Sequence, residues 1–455
     1  MSPPPDARAG ARLGGVVAAL CLVQFVDVLG VTVVVTALPP MLSDVGGTSA
    51  DGSLVATGYA MFFGGLLMFG ARLGDRFGHR RTILVSLGIF AVGSLLAAVA
   101  TSVFVLTAAR CVQGTAAAAA VPSALKLLTT VADGDQARAR ALAAWSAAGA
   151  AAGASGFVVG GVVSAVTTWR VIFWGLLGVA AAQAVAITFL VPRDQRSRER
   201  TPLNVGGSVL LTATVMLFVL GTTLLGQDGQ RLPGALLTCG AVAVAAGFVA
   251  ADRRASAPLL PVRLLRMPQV VRGASGSLIN TATSGVATLI TLYLQSTLGR
   301  TPWEAAATLL PLSAFVIAGS TLAGRLIVSR RRERVAAAGL VLIGGGIAVP
   351  LLAPAAVVLI GAGMAVVGAG LGLSAVATTS LGTDVDESLR ATSSGVINTS
   401  AQLGTAIGTA VLLLVAATTT GVPDPTTGTP VVAWAAAAVL AVGAAALFVR
   451  LRPTT

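Results

Sequence analysis

Two ionisable side chains lie deep inside long apolar segments of this sequence. Asp27 falls within the run at 13–38, and Arg110 falls within the run at 103–126. Burial disfavours the charged form of a carboxyl group, so an acid in such a segment can take up and release protons. If the two segments are neighbours, proton binding to Asp27 would release Arg110. The residue types therefore point to proton exchange linked to a change of pairing, with a static structural pair as the alternative.

The composition identifies the elements that must hold these residues. Of 455 residues, 55% are hydrophobic and only 10% are charged, whereas soluble chains carry about 25% charged residues. Apolar runs of helix length recur along the whole chain, so the sequence predicts an all-α polytopic protein embedded in a lipid bilayer.

Several other classes are disfavoured. The net charge of +13 comes from short basic clusters between apolar runs, without a basic stripe interleaved with aromatic residues, so nucleic acid is not an expected partner. Cys21, Cys111 and Cys239 all lie in apolar runs, without the spacing of a metal site or a disulfide framework. We expect no metal ion.

Fourteen transmembrane helices are predicted from the apolar runs. The first six lie at 13–38, 52–71, 82–101, 103–126, 139–164 and 169–191, two more at 204–225 and 233–251, and the last six at 268–297, 303–328, 335–352, 355–380, 390–416 and 430–449. The break between 335–352 and 355–380 is marked only by Pro350 and Pro354.

The distribution of basic residues predicts the orientation. With a cytoplasmic N-terminus, only Arg170, Arg231 and Arg300 fall on the outer side, and all the other basic residues outside the membrane segments fall on the cytoplasmic side. This asymmetry follows the positive-inside rule and places both termini in the cytoplasm. Lys126 is the single lysine, and this bias, with abundant Ala and Gly, is typical of GC-rich bacteria. The expected location is the bacterial inner membrane.

The helices divide into three regions: an N-terminal six-helix bundle at 13–191, a linker with two inserted helices at 192–267, and a C-terminal six-helix bundle at 268–449. A similar basic junction follows the second helix of each six. It reads ARLGDRFGHRR in the first half and GRLIVSRRRER in the second, which indicates an internal repeat. Parallel six-helix halves are a known plan of transporters. The inserted pair carries no charge at membrane depth, so we expect it to pack outside a central cavity.

The first junction resembles the signature loop of the major facilitator superfamily, G-x-L-x-D-R-x-G-R-R. Ala71 replaces the first glycine, and His79 replaces a basic residue. The resemblance implies the major facilitator fold and a gating latch that pairs with the other half while the cytoplasmic side is closed. An ordinary basic cytoplasmic loop is the alternative. The latch residues would be Arg72, Asp75, Arg76, Gly78, Arg80 and Arg81.

Two further stretches extend this resemblance. Arg110, Gln113 and Gly114 match the fourth-helix pattern R-x-x-Q-G, although Arg110 could also be only a structural hydrogen-bond hub. The stretch WSAAGAAAGASGFVVGG is similar to the fifth-helix pattern of drug:proton antiporters, with Phe157 in place of a proline. Generic helix packing would also explain its glycine stripe. The stripe consists of Gly149, Gly153, Gly156, Gly160 and Gly161.

Fourteen helices resemble the fourteen-spanner drug:proton antiporter branch. Its first-helix pattern carries an acid where Gly30 stands here, and Asp27 lies about one turn earlier on a neighbouring part of the same face. The role of Asp27 is therefore open at this point. The resemblance implies alternating access powered by protons.

The predicted function is proton-coupled export of a small amphipathic compound, neutral or weakly acidic, such as an antibiotic or secondary metabolite. The chain has no P-loop, so an ion gradient must supply the energy, and no cofactor other than protons is expected. A gradient-driven importer or facilitator is the alternative. An enzyme is not expected because a His pair, paired acids and G-x-S-x-G are missing from the spans, and a scaffold would not need intramembrane Asp and Arg. We expect a monomer whose cavity is lined by Gln24, Gln113, Asn280, Asn398 and Gln402, unless these side chains bond to neighbouring helices.

Overall fold

The computed structural model describes residues 5–132, 135–193, 203–226, 229–256, 258–329, 331–419 and 430–450. These residues form helices joined by short loops. The first part of the predicted linker, at 194–202, lies outside the described residues. The N-terminal helices are α1 (Pro5–Asp44), α2 (Ser49–Phe77), α3 (His79–Ala98), α4 (Val103–Val131), α5 (Asp135–Val166) and α6 (Arg170–Leu190).

The remaining helices follow the predicted order, with one short addition. The inserted pair is α7 (Val205–Leu225) and α8 (Arg231–Arg254), followed by the short α9 (Val262–Leu265), which the apolar pattern did not predict. The C-terminal helices are α10 (Pro268–Thr283), α11 (Val286–Leu292), α12 (Pro302–Ser329), α13 (Arg332–Leu352), α14 (Val357–Gly382), α15 (Glu387–Thr419) and α16 (Val431–Arg450).

The all-α membrane fold is confirmed. Thirteen membrane-length apolar helices occur among the described residues, counting α10, α11 and the turn after them as one. The described apolar part of α16, Val431–Ala446, is shorter than these thirteen. The boundary between α13 and α14 lies at Leu352 and Val357, so the two prolines do separate two helices.

One predicted helix is interrupted. The run at 268–297 was expected as a single helix, but α10 ends at Thr283 and α11 begins at Val286. The Ser284 hydroxyl donates to the Thr281 carbonyl at 2.6 Å, and Gly285 lies directly against Thr409 of α15. Ser-Gly pairs are common sites of helix kinks. A π-helical turn, Tyr293–Thr297, then continues from α11.

Each half is a helical bundle, and the two halves meet along two pairs of helices. In the first half α1 packs on α5, α2 on α4, and α3 on both α4 and α6. In the second, α14 packs on α12 and α13, α10 on α15, and α13 on α16. Between the halves, α2 contacts α15 and α5 contacts α12. These contacts place α1 and α4 side by side.

The inserted helix α7 packs against α2, α8 and α15, where the two halves meet. Asp252, at the C-terminal end of α8, holds this insertion and the next linker together. It accepts hydrogen bonds from the Asn204 amide at 2.7 Å and from the backbone N–H groups of Leu259 and Leu260 at 2.7 and 2.9 Å. A buried carboxylate with three donors is well satisfied.

Candidate functional site

The central polar cluster begins at Asp27. Its side chain is buried in α1, and the hydroxyl of Tyr59 in α2 donates to its Oδ1 at 2.5 Å. Tyr59 is fully buried and packs edge-on against Phe63, one turn further along α2. A buried tyrosine usually finds a partner for its O–H group. Here that partner is the one acid in the middle of α1.

Arg110 lies over the aromatic ring of the same tyrosine. The guanidinium carbon of Arg110 is 4.7 Å from the centre of the Tyr59 ring, which is a cation–π distance. Its Nη1 donates to Gln113 Oε1 at 2.8 Å, and Gln113 Nε2 donates to the Ser94 hydroxyl at 2.9 Å. Ser94 in turn donates to the Phe90 carbonyl at 2.8 Å. The cluster thus joins α1, α2, α3 and α4.

The expected direct pair of Asp27 and Arg110 is replaced by an arrangement through Tyr59. The two side chains attract each other electrostatically, yet they form no ion pair in the described structure. Asp27 accepts from the Tyr59 hydroxyl, and Arg110 lies over the Tyr59 ring. Nε and Nη2 of the fully buried Arg110 have no hydrogen-bond partner. Because such a guanidinium is costly to bury, it is available to an acceptor that comes within reach.

The position of Tyr59 depends on Gly114. A Cβ atom at Gly114 would touch the carbonyl oxygen of Tyr59 and lie 3.0 and 3.1 Å from its carbonyl carbon and Cα. Only glycine therefore lets α4 approach the backbone of α2 this closely. In the pattern R-x-x-Q-G, the arginine and glutamine supply the polar contacts, and the glycine brings them to the tyrosine.

The glycine stripe of α5 lies along α1. Gly149 faces Gln24, Gly153 faces Val28, Gly156 faces Thr32 and Gly160 faces Thr36, so positions four apart on α1 meet the stripe. The hydroxyls of Thr32 and Thr36 point to carbonyls of α5, at 3.5 and 3.4 Å. Small faces of this kind let membrane helices come close together. Gly161 differs from the others and faces Pro302 and Ala306 of α12.

The outer ends of the two halves are joined next to this stripe. Gln295, in the π-helical turn after α11, donates its amide to the carbonyl of Thr36 at 3.0 Å. Together with the contact of Gly161 on α12, this bond ties α1 and α5 to the second half. A movement of α1 would therefore reach both the α5 contact and the contact between the halves.

The predicted gating loop makes contacts of a different kind from those expected. Asp75 pairs with His79 of the same loop at 3.3 Å, and among the described residues it forms no ion pair with an arginine of the other half. The two are four residues apart around Gly78, whose φ of 96° joins α2 to α3 in a conformation that favours glycine. Arg72 donates to the Pro258 carbonyl in the linker at 2.7 Å, and Arg80 donates to the Thr188 carbonyl at 2.7 Å.

The remaining loop residues are at the surface. Arg76 and Arg81 are exposed, and the guanidinium of Arg76 lies 5.5 Å from the Phe77 ring centre. The loop thus touches α6 and the linker before α10.

The predicted cavity residues separate into two groups. Gln113 is fully buried, and both ends of its amide are bonded within the first bundle, so it does not line an open cavity here. Gln24 and Gln402 are half-buried against glycines of α5 and α2, respectively, and Asn398 is half-buried on α15. Asn280 is 4% exposed, and its side-chain oxygen has no partner.

Among the described residues, no group of three or more His, Cys, Asp or Glu side chains is placed so that it could hold a metal ion.

Comparison with known proteins identifies the family. The sequence model described as Major Facilitator Superfamily matches residues 20–409. The chain belongs to the major facilitator superfamily. Members of this superfamily are membrane transporters of small molecules, and the chain is a multi-pass membrane protein of that type.

The chain is similar to several resistance and export proteins of the superfamily. It is 33% identical to the lincomycin resistance protein of Streptomyces lincolnensis, over 73% of this chain and 68% of the relative. It is 31% identical to the probable actinorhodin transporter of Streptomyces coelicolor, over 90% and 73% of the two chains. It is 30% identical to the methylenomycin A resistance protein of that organism, over 90% and 87%.

A solved transporter shares the fold. A bacterial homologue of the human lysosomal transporter Spinster, in an inward-facing and unoccupied conformation, superposes with a TM-score of 0.66 at 16% identity and covers 96% of both chains. At this identity the likeness shows the fold alone. It agrees with the two-bundle architecture predicted from the sequence.

Two residues of the cluster were missed by the sequence reasoning: Tyr59 and Ser94. Each is a polar side chain within an apolar run, and Tyr59 is one of only two tyrosines in the chain. A search for every polar residue at membrane depth, and not only for charges, would have found them. Their mutual contacts could not have been read from the sequence.

Proposed function

We propose that this protein exports a small amphipathic compound, neutral or weakly acidic, in exchange for protons. An antibiotic or other secondary metabolite is the favoured class, in line with the resistance and export proteins that it resembles. The observation that carries the proton coupling is the buried cluster in which Asp27 is bonded to Tyr59 and Arg110 lies across the same ring.

Proton binding would change the balance of this cluster. With Asp27 charged, its attraction to Arg110 holds α1 and α4 together through Tyr59. When the carboxyl binds a proton, that attraction is lost, and the unpartnered N–H groups of Arg110 can turn to another acceptor, such as an anionic or polar group of the cargo. The protonation state of Asp27 would in this way determine which group Arg110 binds.

The movement would pass along α1. Its glycine-lined contact with α5 and the bond between Thr36 and Gln295 connect the cluster to the outer contact of the two halves. Closely packed small residues let helices slide or tilt with few steric barriers. Alternating access follows if protonation of Asp27 loosens the outer contact. The protein would act as a monomer in the inner membrane of a bacterium, with both termini in the cytoplasm.

The cargo class is supported by the charges of the described structure. Acids of the second half lie at helix ends or in loops, as Glu304 and Asp384 do. A dicationic cargo would need compensating acids in the cavity. The described membrane segments offer amides, one unpartnered guanidinium edge and a single central acid, Asp27, which is already bonded to Tyr59.

The test uses cells that lack their own drug pumps and liposomes that contain the purified protein. Export of lincomycin, actinorhodin or methylenomycin is measured together with movement of protons by a pH-sensitive dye. Asp27→Asn should abolish proton-driven export, and Asp386→Asn, at an exposed loop position, serves as the matched control. Proton movement that persists in Asp27→Asn would refute the coupling role. Uptake in place of export would favour the importer or facilitator.

A further inference from the structure

A small cavity lies inside the first bundle, next to Asp27 and apart from the contact between the halves. Its volume is about 20 Å³. Its walls come from α1, α2, α3, α4 and α6, and most of its lining is apolar, from Val23, Val26, Leu87, Phe90, Ala116, Ala117, Ala120 and Val121. Four polar side chains complete the wall: Asp27, Tyr59, Ser86 and Gln183.

Gln183 is the unexplained member of this wall. It is fully buried in α6, and neither its Nε2 nor its Oε1 has a hydrogen-bond partner among the described residues. An amide offers two donors and an acceptor, and buried polar groups are nearly always bonded to protein or to ordered water. Leaving both ends unbonded in an apolar bundle would carry the full desolvation penalty of the amide.

The size of the cavity selects its occupant. A water molecule needs roughly 10–15 Å³ by this measure and two to four polar partners. The cavity meets both conditions for one water molecule, and it is too small for a drug-sized cargo, whose pockets measure about 300–1,000 Å³.

We propose that Gln183 is a positioning residue that holds a water molecule beside Asp27, and that this water delivers protons to the carboxylate and removes them. On delivery, an O–H bond of a hydronium ion breaks as the carboxyl O–H bond forms, and a neutral water remains on Gln183. The Ser86 hydroxyl, from α3, is a further contact for it. The inference rests on the proposed function, since it assumes that Asp27 carries the proton.

The surrounding charges are consistent with this role. Tyr59 of α2 donates to Asp27, and Arg110 of α4 lies beyond the tyrosine ring. The described parts of α3, α5 and α6 carry no ionisable side chain at the depth of Asp27. The cavity lining itself contains no ionisable group other than Asp27 and Tyr59.

The cavity lies on one face of α1. Val23, Val26 and Asp27 face the cavity within the first bundle, whereas Gln24 and Val28 face the glycine stripe of α5. The water site is therefore apart from the packed contact between α1 and α5.

The test is infrared difference spectroscopy of the full-length protein in lipid, comparing acidic and alkaline pH. The carboxyl band of Asp27 is the one that disappears in Asp27→Asn. We expect an O–H stretching band that changes together with it and shifts when the solvent is water labelled with heavy oxygen. Gln183→Leu should remove this water band, whereas Gln183→Asn, which keeps the amide, should retain it.

Two further variants make the result decisive. Ser86→Ala, on the α3 wall, should shift the water band even if Gln183→Leu does not fold. Gln269→Leu, a glutamine at the start of α10 and outside the cavity, should leave it unchanged. A water band that is intact in both Gln183→Leu and Ser86→Ala overturns the inference while leaving Asp27 as the proton carrier. Intact bands with export that moves no protons would instead overturn the proposed function.

Discussion

The contact between Gly114 and Tyr59 allows a quantitative test of how the cluster is positioned. In Gly114→Ala, the added Cβ would lie 3.0 and 3.1 Å from two backbone carbons of Tyr59, and nearer still to its carbonyl oxygen. Ordinary contacts of this type begin at 3.4 Å. The helices α2 and α4 must therefore separate by several tenths of an ångström or more, since backbone atoms cannot move aside independently.

This separation has an energetic and a functional consequence. Overpacking of a close contact costs about 1–3 kcal/mol. The bond from Tyr59 to Asp27 is 2.5 Å long, and a displacement of about 1 Å would bring it to the limit of a hydrogen bond. We expect Gly114→Ala to lower the stability by that amount and to weaken proton-coupled export.

The assay is thermal unfolding of the purified protein, monitored by the reaction of a fluorescent maleimide with the thiol of Cys21, which is buried in the folded state. Gly88→Ala is the matched control, because a Cβ at Gly88, in the middle of α3, meets nothing within 4 Å. It should leave the stability unchanged or raise it by up to about 1 kcal/mol, since alanine favours the helix. If both variants unfold at the same temperature, close approach at Gly114 does not position Tyr59.

Three further predictions concern the cluster, the loop and the cargo. Tyr59→Phe keeps the ring beside Arg110 but removes the donor to Asp27; we expect the protein to fold and its export to respond differently to external pH, and an unchanged pH profile would exclude Tyr59 from coupling. Asp75→Asn should reduce export strongly at equal expression, because the loop loses its only carboxylate, and full export would argue against a gating role. A resistance panel in a pump-deficient host should show protection against neutral or weakly acidic antibiotics, whereas protection against dicationic biocides alone would contradict the proposed cargo class.

In the gating loop, the local sequence pattern predicts where the residues lie better than it predicts which residues they contact. The sequence places Asp75 and Gly78 at a helix junction, and the structure shows the positive φ that only glycine adopts readily. The partner of Asp75 was expected in the other half and is His79 in the same loop. The partner of a flexible charged side chain depends on the relative positions of the two halves. A local sequence pattern does not encode those positions.

The sequence by itself determined the class, the fold and the two intramembrane charges. Apolar run length follows from bilayer thickness, and a charge such as Asp27 or Arg110 stands out because it is costly in a membrane. The orientation drawn from the basic residues stays a prediction. These signals are local, so they can be read from the sequence without knowing how the helices pack.

The tertiary structure alone decided what those charges contact. Tyr59 contacts both Asp27 and Arg110, and Gln113 accepts a hydrogen bond from Arg110 inside the first bundle. Gln183, on α6, lines the small cavity next to Asp27. Most of these contacts join residues far apart in the chain. Such contacts depend on the rotation of each helix about its axis and on the close approaches at glycines. When a helix is apolar all round, its sequence periodicity does not show which face packs against which neighbouring helix.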